Sequence, residues 1–279
     1  MSQNVRVAAV QMDVRRLDIP QNRARIAEYM REVAQAGVQL VVFPECALSG
    51  YVFQSKEEAL PASEPLPGES STYLAALCKG LGLYAIIGLL ERDGDTLYNS
   101  AMVLSPEGLV TIYRKCHLPI LGVDRYVGLG NSLEVIELPL ARIGILICYD
   151  VRFSEACRSL ALQGADILIL PTNWPEGAES SPDFLTRARA WENRIFLIAC
   201  NRVGVEEGVR FIGRSQIITP TGTILQEAEG DKEQVLIADI EPSQAREKRI
   251  VVKPGVFEFD PIGGRRPELY HKLTEPHSA

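Results

Sequence analysis

Three residues of this chain stand where reactive chemistry can be assembled: Glu45, Lys115 and Cys148. Each closes an apolar run. Glu45 follows Val41-Val42-Phe43-Pro44, and Lys115 ends a run that begins at Leu109. Cys148 ends Ile145-Leu146-Ile147 and precedes the turn residues Tyr149-Asp150. In α/β folds the carboxyl ends of strands are where side chains converge on a ligand. A carboxylate, an ammonium and a thiol brought together make a competent nucleophilic centre. The carboxylate takes the thiol proton, while the cation favours thiolate and balances an oxyanion. A cysteine at a strand-to-helix turn also gains from the helix N-terminus. Taken singly, each residue has a plainer reading: Glu45 as a surface ion-pair carboxylate, Lys115 as a solvated lysine closing a hairpin, Cys148 as an inert core thiol. Spacing alone does not separate the two.

The elements that must position these residues alternate between strand and helix patterns. Residues 5–12 are a β-rich run, and residues 20–36 place Ile26, Met30, Val33 and Ala34 at helical spacing before Gly37 stops them. Residues 39–43 form a short apolar strand running into Pro44-Glu45, residues 71–80 a second helix, and residues 84–91 another apolar strand. Such unbroken apolar strands belong in sheets covered on both faces. Residues 101–115 read as two strands around the turn Ser105-Pro106-Glu107-Gly108, and residues 216–227 repeat the theme around Thr219-Pro220-Thr221-Gly222. Between these hairpins lie strand 143–147, helix 154–163 closed by Gly164, strand 166–170, helix 184–193 and strand 196–201. Strand-helix-strand units followed by a hairpin thus occur in both halves, which predicts an internally two-fold α/β sandwich. No linker interrupts residues 1–279, so one domain is expected. From about residue 254 the pattern gives way to a Gly/Pro/Arg-rich tail (254–279), suited to packing on a neighbouring subunit.

Composition narrows the classes of function. The 279 residues are 46% hydrophobic and 23% charged, with 29 Lys+Arg against 36 Asp+Glu for a net charge of −7. An acidic chain without a basic run gives nucleic acid little to grip, because phosphate neutralisation supplies most of that affinity. No apolar stretch reaches the length of a membrane span, and the first residues lack the basic and apolar regions of a signal peptide. A cytoplasmic location is therefore expected, with no membrane partner. The six cysteines (46, 78, 116, 148, 157 and 200) include no CxxC pair. That argues against a zinc knuckle or a thioredoxin-type site.

The blocks around the three candidate residues carry a resemblance. Phe43-Pro44-Glu45, then Tyr113-Arg114-Lys115-Cys116-His117-Leu118-Pro119, then Ile147-Cys148-Tyr149-Asp150-Val151-Arg152-Phe153 resemble, in order, the signature blocks of the nitrilase superfamily of carbon–nitrogen hydrolases. The likeness extends from about Val5 to Tyr270. It includes Ala9-Val10-Gln11-Met12, Leu170-Pro171-Thr172-Asn173-Trp174-Pro175, Arg189-Ala190-Trp191-Glu192-Asn193, Asn201-Arg202-Val203-Gly204 and Phe211-Ile212-Gly213-Arg214-Ser215. The resemblance implies a four-layer αββα sandwich with internal pseudo-two-fold symmetry, assembled as a homodimer or larger. It also implies a Glu–Lys–Cys site that needs no cofactor. Carried over by position, Glu45 is the general base, Lys115 the oxyanion stabiliser and Cys148 the nucleophile, with the Tyr149 backbone N–H as second oxyanion donor. Many members carry a further glutamate between the lysine and cysteine blocks. Here that stretch is Gly122-Val123-Asp124-Arg125-Tyr126, and Asp124 is its only acid.

The implied reaction runs through a thioester and releases ammonia or an amine from a small amide. A ureido compound or a nitrile is the alternative substrate within the superfamily; a non-catalytic interaction protein or an acyltransferase is the alternative of another class. Arg152 falls where N-carbamoyl amino acid hydrolases hold a substrate carboxylate, but it can equally belong to a salt bridge with Asp150 or Glu155. Trp174 either shapes the pocket or fills core. A Cys–His dyad would need one of His117, His271 and His277; His117 lies near Lys115 and reads better as a hydrogen-bonded loop residue. A serine hydrolase lacks its Gly-x-Ser-x-Gly elbow.

Overall fold

The computed structural model describes residues 4–275. In chain order its strands are β1 (Val5–Gln11), β2 (Leu40–Val42), β3 (Ser63–Glu64), β4 (Tyr84–Asp93), β5 (Thr96–Ser105), β6 (Gly108–Arg114), β7 (Val135–Glu137), β8 (Arg142–Ile145) and β9 (Ile167–Thr172). They continue with β10 (Phe196–Asn201), β11 (Val205–Glu206), β12 (Val209–Arg210), β13 (Gln216–Ile218), β14 (Ile224–Glu227), β15 (Gln234–Ile240), β16 (Ile250–Lys253) and β17 (Phe257–Phe259). The α-helices are α1 (Ile19–Gln35), α2 (Lys56–Ala59), α3 (Glu69–Leu81), α4 (Ser154–Leu162) and α5 (Thr186–Asn193).

Two sheets carry the fold. One has the order β15-β1-β2-β4-β5-β6, with β3 beside β4; the other has the order β14-β13-β10-β9-β8-β7. The internal repeat is visible in their direction of pairing. In the first sheet β1, β2 and β4 are parallel, β5 and β6 follow antiparallel, and β15 flanks β1 antiparallel. In the second, β8, β9 and β10 are parallel, β13 and β14 follow antiparallel, and β7 flanks β8 antiparallel. The flanking strand of the first sheet comes from the far end of the chain, so the two halves interlock.

Strand alternation places the layers. Val7, Ala9, Leu40, Val42 and Ile86 point to the core shared with the second sheet. Ala8, Val10, Val41, Ala85 and Ile87 point the other way, onto Ile26, Met30 and Val33 of α1 and Leu74 and Cys78 of α3. On the far side, Ala156, Cys157 and Leu160 of α4 and Ala190 of α5 cover the second sheet. The Cys200 thiol of β10 donates to the carbonyls of Val10 and Val42 at 3.3 and 3.2 Å, which fixes how closely the two sheets approach. The helices start where their caps allow: Asp18 accepts from the Gln21 N–H at 3.1 Å, with Pro20 in the first turn. In α3 the Ser71 hydroxyl accepts from the Gly68 N–H at 2.8 Å, so the helix begins two residues before the predicted 71.

Elsewhere the structure departs from the sequence reading. Helix α5 begins at Thr186 rather than 184, because a π-helical turn over Ser181–Leu185, with Pro182 in it, precedes it. Strand β15 was not anticipated. Its pairing partner lies more than 200 residues away, and only Leu236 and Ile240 of its seven residues are fully buried. Nor is the region around residue 254 featureless. Residues 250–259 form a hairpin whose turn contains Pro254-Gly255, with Gly255 at φ +69°. Phe259 of this hairpin packs on Trp191 of α5 with ring centroids 6.5 Å apart. The hairpin and the segment after it leave Val252, Val256, Phe257, Leu269 and Leu273 more than half exposed. His277 lies outside the described residues.

Candidate active site

Glu45, Lys115 and Cys148 converge at the carboxyl ends of β2, β6 and β8. The turn carrying Glu45 lies so close to β4 that a side chain at Gly88 would stand 2.3 Å from the Pro44 carbonyl and 2.7 Å from Glu45 Cα. Glycine at 88 therefore lets the Glu45 turn seat against the sheet. Lys115 continues β6, its N–H bonded to the Asn99 carbonyl at 2.8 Å. Cys148 opens a 3-10 turn (Cys148–Arg152) with φ +45°, a left-handed conformation that a residue with a side chain adopts only when its surroundings enforce it. The first bond of that turn runs from Asp150 N to Ile147 O at 3.0 Å, which leaves the Tyr149 N–H outside the ladder.

The polar centre is buried and tightly connected. Lys115 Nζ lies 2.8 Å from Glu45 Oε1 and 2.6 Å from Asp124 Oδ2, and all three side chains have no exposed surface. Asn99 Nδ2 donates to Glu45 Oε1 at 2.6 Å and to Asp124 Oδ1 at 2.8 Å. The Tyr51 hydroxyl donates to Asp124 Oδ2 at 2.8 Å. Asp124 thus receives three donors on its two oxygens. Lys115 spends two of its three N–H bonds on carboxylates and keeps the third. Glu45 Oε1 is doubly engaged, whereas Oε2 is buried and has no partner.

These contacts set the acid–base properties. Burial raises the pKa of Glu45; Lys115 and Asn99 oppose this and Asp124 adds to it. Burial works against the Lys115 ammonium, yet Asp124 and Glu45 outweigh it and hold the pKa well above the ordinary lysine value. Cys148 is pushed up to about 12, by burial first and by the Glu45 charge second. Lys115, the Thr172 hydroxyl and the Asn173 backbone N–H pull the other way and favour the thiolate. Burial and the Glu45 charge thus disfavour the thiolate, and a carboxylate of raised proton affinity lies beside the sulfur.

A third buried acid, Asp150, locks the nucleophile turn to the lysine loop. Asp150 Oδ1 accepts the His117 backbone N–H at 2.9 Å and lies 2.7 Å from His117 Nδ1. Its Oδ2 accepts the Tyr113 hydroxyl at 2.8 Å and the Ile147 N–H at 2.9 Å. His117 also stacks on Phe153, with ring centroids 3.8 Å apart and planes 14° apart. Its geometry is that of a hydrogen-bonded loop residue. With Asp150 so occupied, and Glu155 hydrogen-bonded to Ser154, neither acid pairs with Arg152. Arg152 is exposed, and among the described residues its guanidinium has no ion-pair partner. Trp174 is 2% exposed within the core shared by both sheets, its N–H bonded to Asn201 Oδ1 at 2.8 Å.

Asn99, Tyr51, Asp150, Thr172 and Asn173 were not singled out as site residues by sequence. Three of them left a trace: Asn99-Ser100 interrupts an otherwise apolar strand, and Thr172-Asn173 ends one as Cys148 does. Among the described residues no cluster of His, Cys, Asp and Glu is arranged to hold a metal ion, and no helix is long and apolar enough to cross a membrane.

Comparison with known proteins agrees with this geometry. The sequence model of the family described as carbon-nitrogen hydrolase matches residues 6–250. A protein named nitrilase from Pyrococcus abyssi is 35% identical over 271 residues, covering 96% of this chain and 100% of its own. An omega-amidase of Danio rerio is 33% identical over 250 residues, covering 85% of this chain and 88% of its own. Among solved structures, an amidase from Nesterenkonia sp. superposes with a TM-score of 0.80 at 25% identity, covering 96% of both chains. A CN-hydrolase superfamily protein from Xanthomonas campestris, with an arsenic adduct in its active site, gives 0.79 at 27% identity over 88% of this chain and 93% of its own. The chain belongs to the carbon–nitrogen hydrolase family, an enzyme family with the αββα sandwich found here.

Proposed function

We propose that this hydrolase cleaves the carbon–nitrogen bond of a small amide through a thioester on Cys148. One observation carries the reading: in the cluster of Glu45, Lys115, Asp124 and Asn99, Glu45 Oε2 and one Lys115 N–H have no partner among the described residues. Those are the atoms that an acyl transfer needs, a base for the thiol proton and a donor for the oxyanion. Glu45 Oε2 takes the Cys148 proton as sulfur attacks the carbonyl carbon. Lys115 Nζ and the Tyr149 N–H hold the oxyanion. Its collapse expels ammonia or an amine, protonated through Glu45, and leaves the thioester. A water deprotonated by Glu45 then hydrolyses the thioester and frees the acid and the thiol. Asp124 takes the auxiliary position by pairing with Lys115 Nζ at 2.6 Å, so that Glu45 need not do so alone.

The substrate reading follows from Arg152. An exposed guanidinium without an ion-pair partner among the described residues, four residues beyond the nucleophile, suits a substrate carboxylate, and such charge-assisted pairs are strong and geometrically selective. This favours an ω-amide of a dicarboxylic acid, the class that gives the omega-amidases among the relatives their name, with an N-carbamoyl amino acid as second reading. The exposed apolar hairpin and tail support assembly with a second copy, testable by light scattering of the full chain against Phe257→Ser/Val256→Ser. An ammonia-release screen over ω-amides, uncharged amides, ureido acids and nitriles tests the activity itself. Release from nitriles alone would refute it.

A further inference from the structure

Arg202, in the block Asn201-Arg202-Val203-Gly204, has no part in the mechanism, yet it is fully buried. Its guanidinium lies over Phe211, 4.4 Å from the ring centroid. It donates to Asp13 Oδ1 at 2.9 Å, to the Val14 carbonyl at 2.7 Å and to Glu206 Oε2. A buried ion pair is weak evidence for stability by itself, so what else the pair holds matters. Glu206, also buried, turns its other oxygen to the loop that follows Glu45. There Oε1 accepts the Tyr51 N–H at 2.7 Å and also the next one, of Val52. The Tyr51 carbonyl accepts the Val123 N–H at 2.8 Å. Gly122, at φ +48°, leaves room for the Tyr51 ring, since a Cβ there would stand 2.6 Å from it. Tyr51 is thus held at both backbone groups. Its hydroxyl meets Asp124 Oδ2 at 2.8 Å, the oxygen that also accepts from Lys115.

We propose that Glu206 is a positioning residue of the active site, acting through the Tyr51 hydroxyl on the Asp124–Lys115 pair. This rests on the roles given above to Lys115 and Asp124. Among the described residues Glu206 hydrogen-bonds to Tyr51, Val52 and Arg202 alone, so it reaches the reaction only through the loop it holds. Two successive N–H groups on one oxygen fix both peptide planes, and with them the point from which the Tyr51 ring projects. Without the carboxylate these buried N–H groups lose their acceptor, an arrangement costly enough that the loop shifts to relieve it. The Tyr51 hydroxyl then leaves Asp124 Oδ2, and the carboxylate is free to turn and draw the Lys115 ammonium with it. A misplacement of about 1 Å at a catalytic group costs on the order of 100-fold in rate, even when the mutation is remote.

A double-mutant cycle separates this from a purely structural role. Glu206→Ala removes the acceptor, while Asp13 still pairs with Arg202. Tyr51→Phe removes the hydroxyl and keeps the N–H that Glu206 holds. The value of kcat/KM for one primary amide is measured for wild type, both single variants and the double variant, below the lowest of their melting temperatures. Each single change should lower it at least tenfold, roughly the loss of one hydrogen bond to a charged group. The double variant should lie within about threefold of Tyr51→Phe, because the hydroxyl that Glu206 positions is already gone. A structural role predicts instead that the two losses multiply. Glu206→Asp, which faces Arg202 but is too short to hold both N–H groups, supplies the cycle if alanine does not fold. A single variant that keeps more than about a tenth of wild-type activity, or a double variant more than about threefold below Tyr51→Phe, overturns the proposal. Wild-type protein that turns over no amide and shows no acyl adduct on Cys148 overturns the amide-hydrolase reading, and the proposal with it.

Discussion

Replacing Asp124 by Asn tests whether the second carboxylate is part of the machinery or only buried beside it. The change is nearly isosteric and removes one negative charge. Three donors converge on the two Asp124 oxygens: Asn99 Nδ2 at 2.8 Å on Oδ1, and Lys115 Nζ at 2.6 Å and the Tyr51 hydroxyl at 2.8 Å on Oδ2. An asparagine must turn its NH2 toward one side or the other. Either orientation sets donor against donor, so at least one hydrogen bond to a charged group is lost, worth about 1.5–3 kcal/mol. If that loss is expressed in the transition state, kcat/KM falls roughly 10- to 150-fold. A second consequence has a definite sign. The Asp124 charge raises the Glu45 pKa, so its removal lowers that pKa and moves the acid limb of kcat/KM to lower pH. The assay is kcat/KM against pH for wild type and variant, with a thermal melt to show that the fold persists. A variant within threefold of wild type and with an unmoved acid limb would refute the role given to Asp124.

Glu45→Gln keeps the shape but cannot accept and return a proton, and Lys115→Arg puts a planar guanidinium where a compact ammonium has no exposed surface. Steady-state assays should find both reduced by far more than tenfold, about 1.4 kcal/mol of barrier; smaller losses would count against the assigned roles. In wild type, Glu45 must be ionised to work and its pKa is raised by burial. The rate should therefore fall with acidification at a pH above the ordinary glutamate value of about 4.3, and a limb at or below that value would contradict the site's electrostatics. Arg152→Ala should raise KM for an acidic ω-amide and spare an uncharged aliphatic amide. Equal damage to both, with a lower melting temperature, would remove Arg152 from substrate binding.

The alternation of apolar strands and amphipathic helices was enough to predict two similar halves, and the strands expected at 39–43 and 143–147 overlap β2 and β8 but overrun their ends, because buried residues beyond a strand prolong its apolar run. Strand β15 escaped because it flanks its sheet with mostly half-buried residues and pairs with β1 across almost the whole chain. In the site, Glu45, Lys115 and Cys148 were legible because each ends an apolar strand within a recognisable block. The residues that govern their protonation were not. Asn99 matters because the β4–β5–β6 meander places it between two acids, and Tyr51 because its loop folds back over the stretch holding Asp124. Asp150 was weighed as a partner for Arg152; its four donors instead come from the nucleophile turn and from the lysine loop some 30 residues earlier. Such convergence is a property of the packed structure, and no local pattern announces it.

The central claim is that Cys148 carries the acyl group. Intact-mass and peptide mapping of the wild-type protein quenched during turnover of an amide tests it directly. The account predicts a mass increase equal to the acyl group, confined to the peptide containing Cys148 and absent from Cys148→Ala. Cys116, which is partly exposed, and Cys46, which is buried next to Glu45, should remain unmodified. An acyl adduct on either of those thiols, or turnover retained by Cys148→Ala, would contradict it.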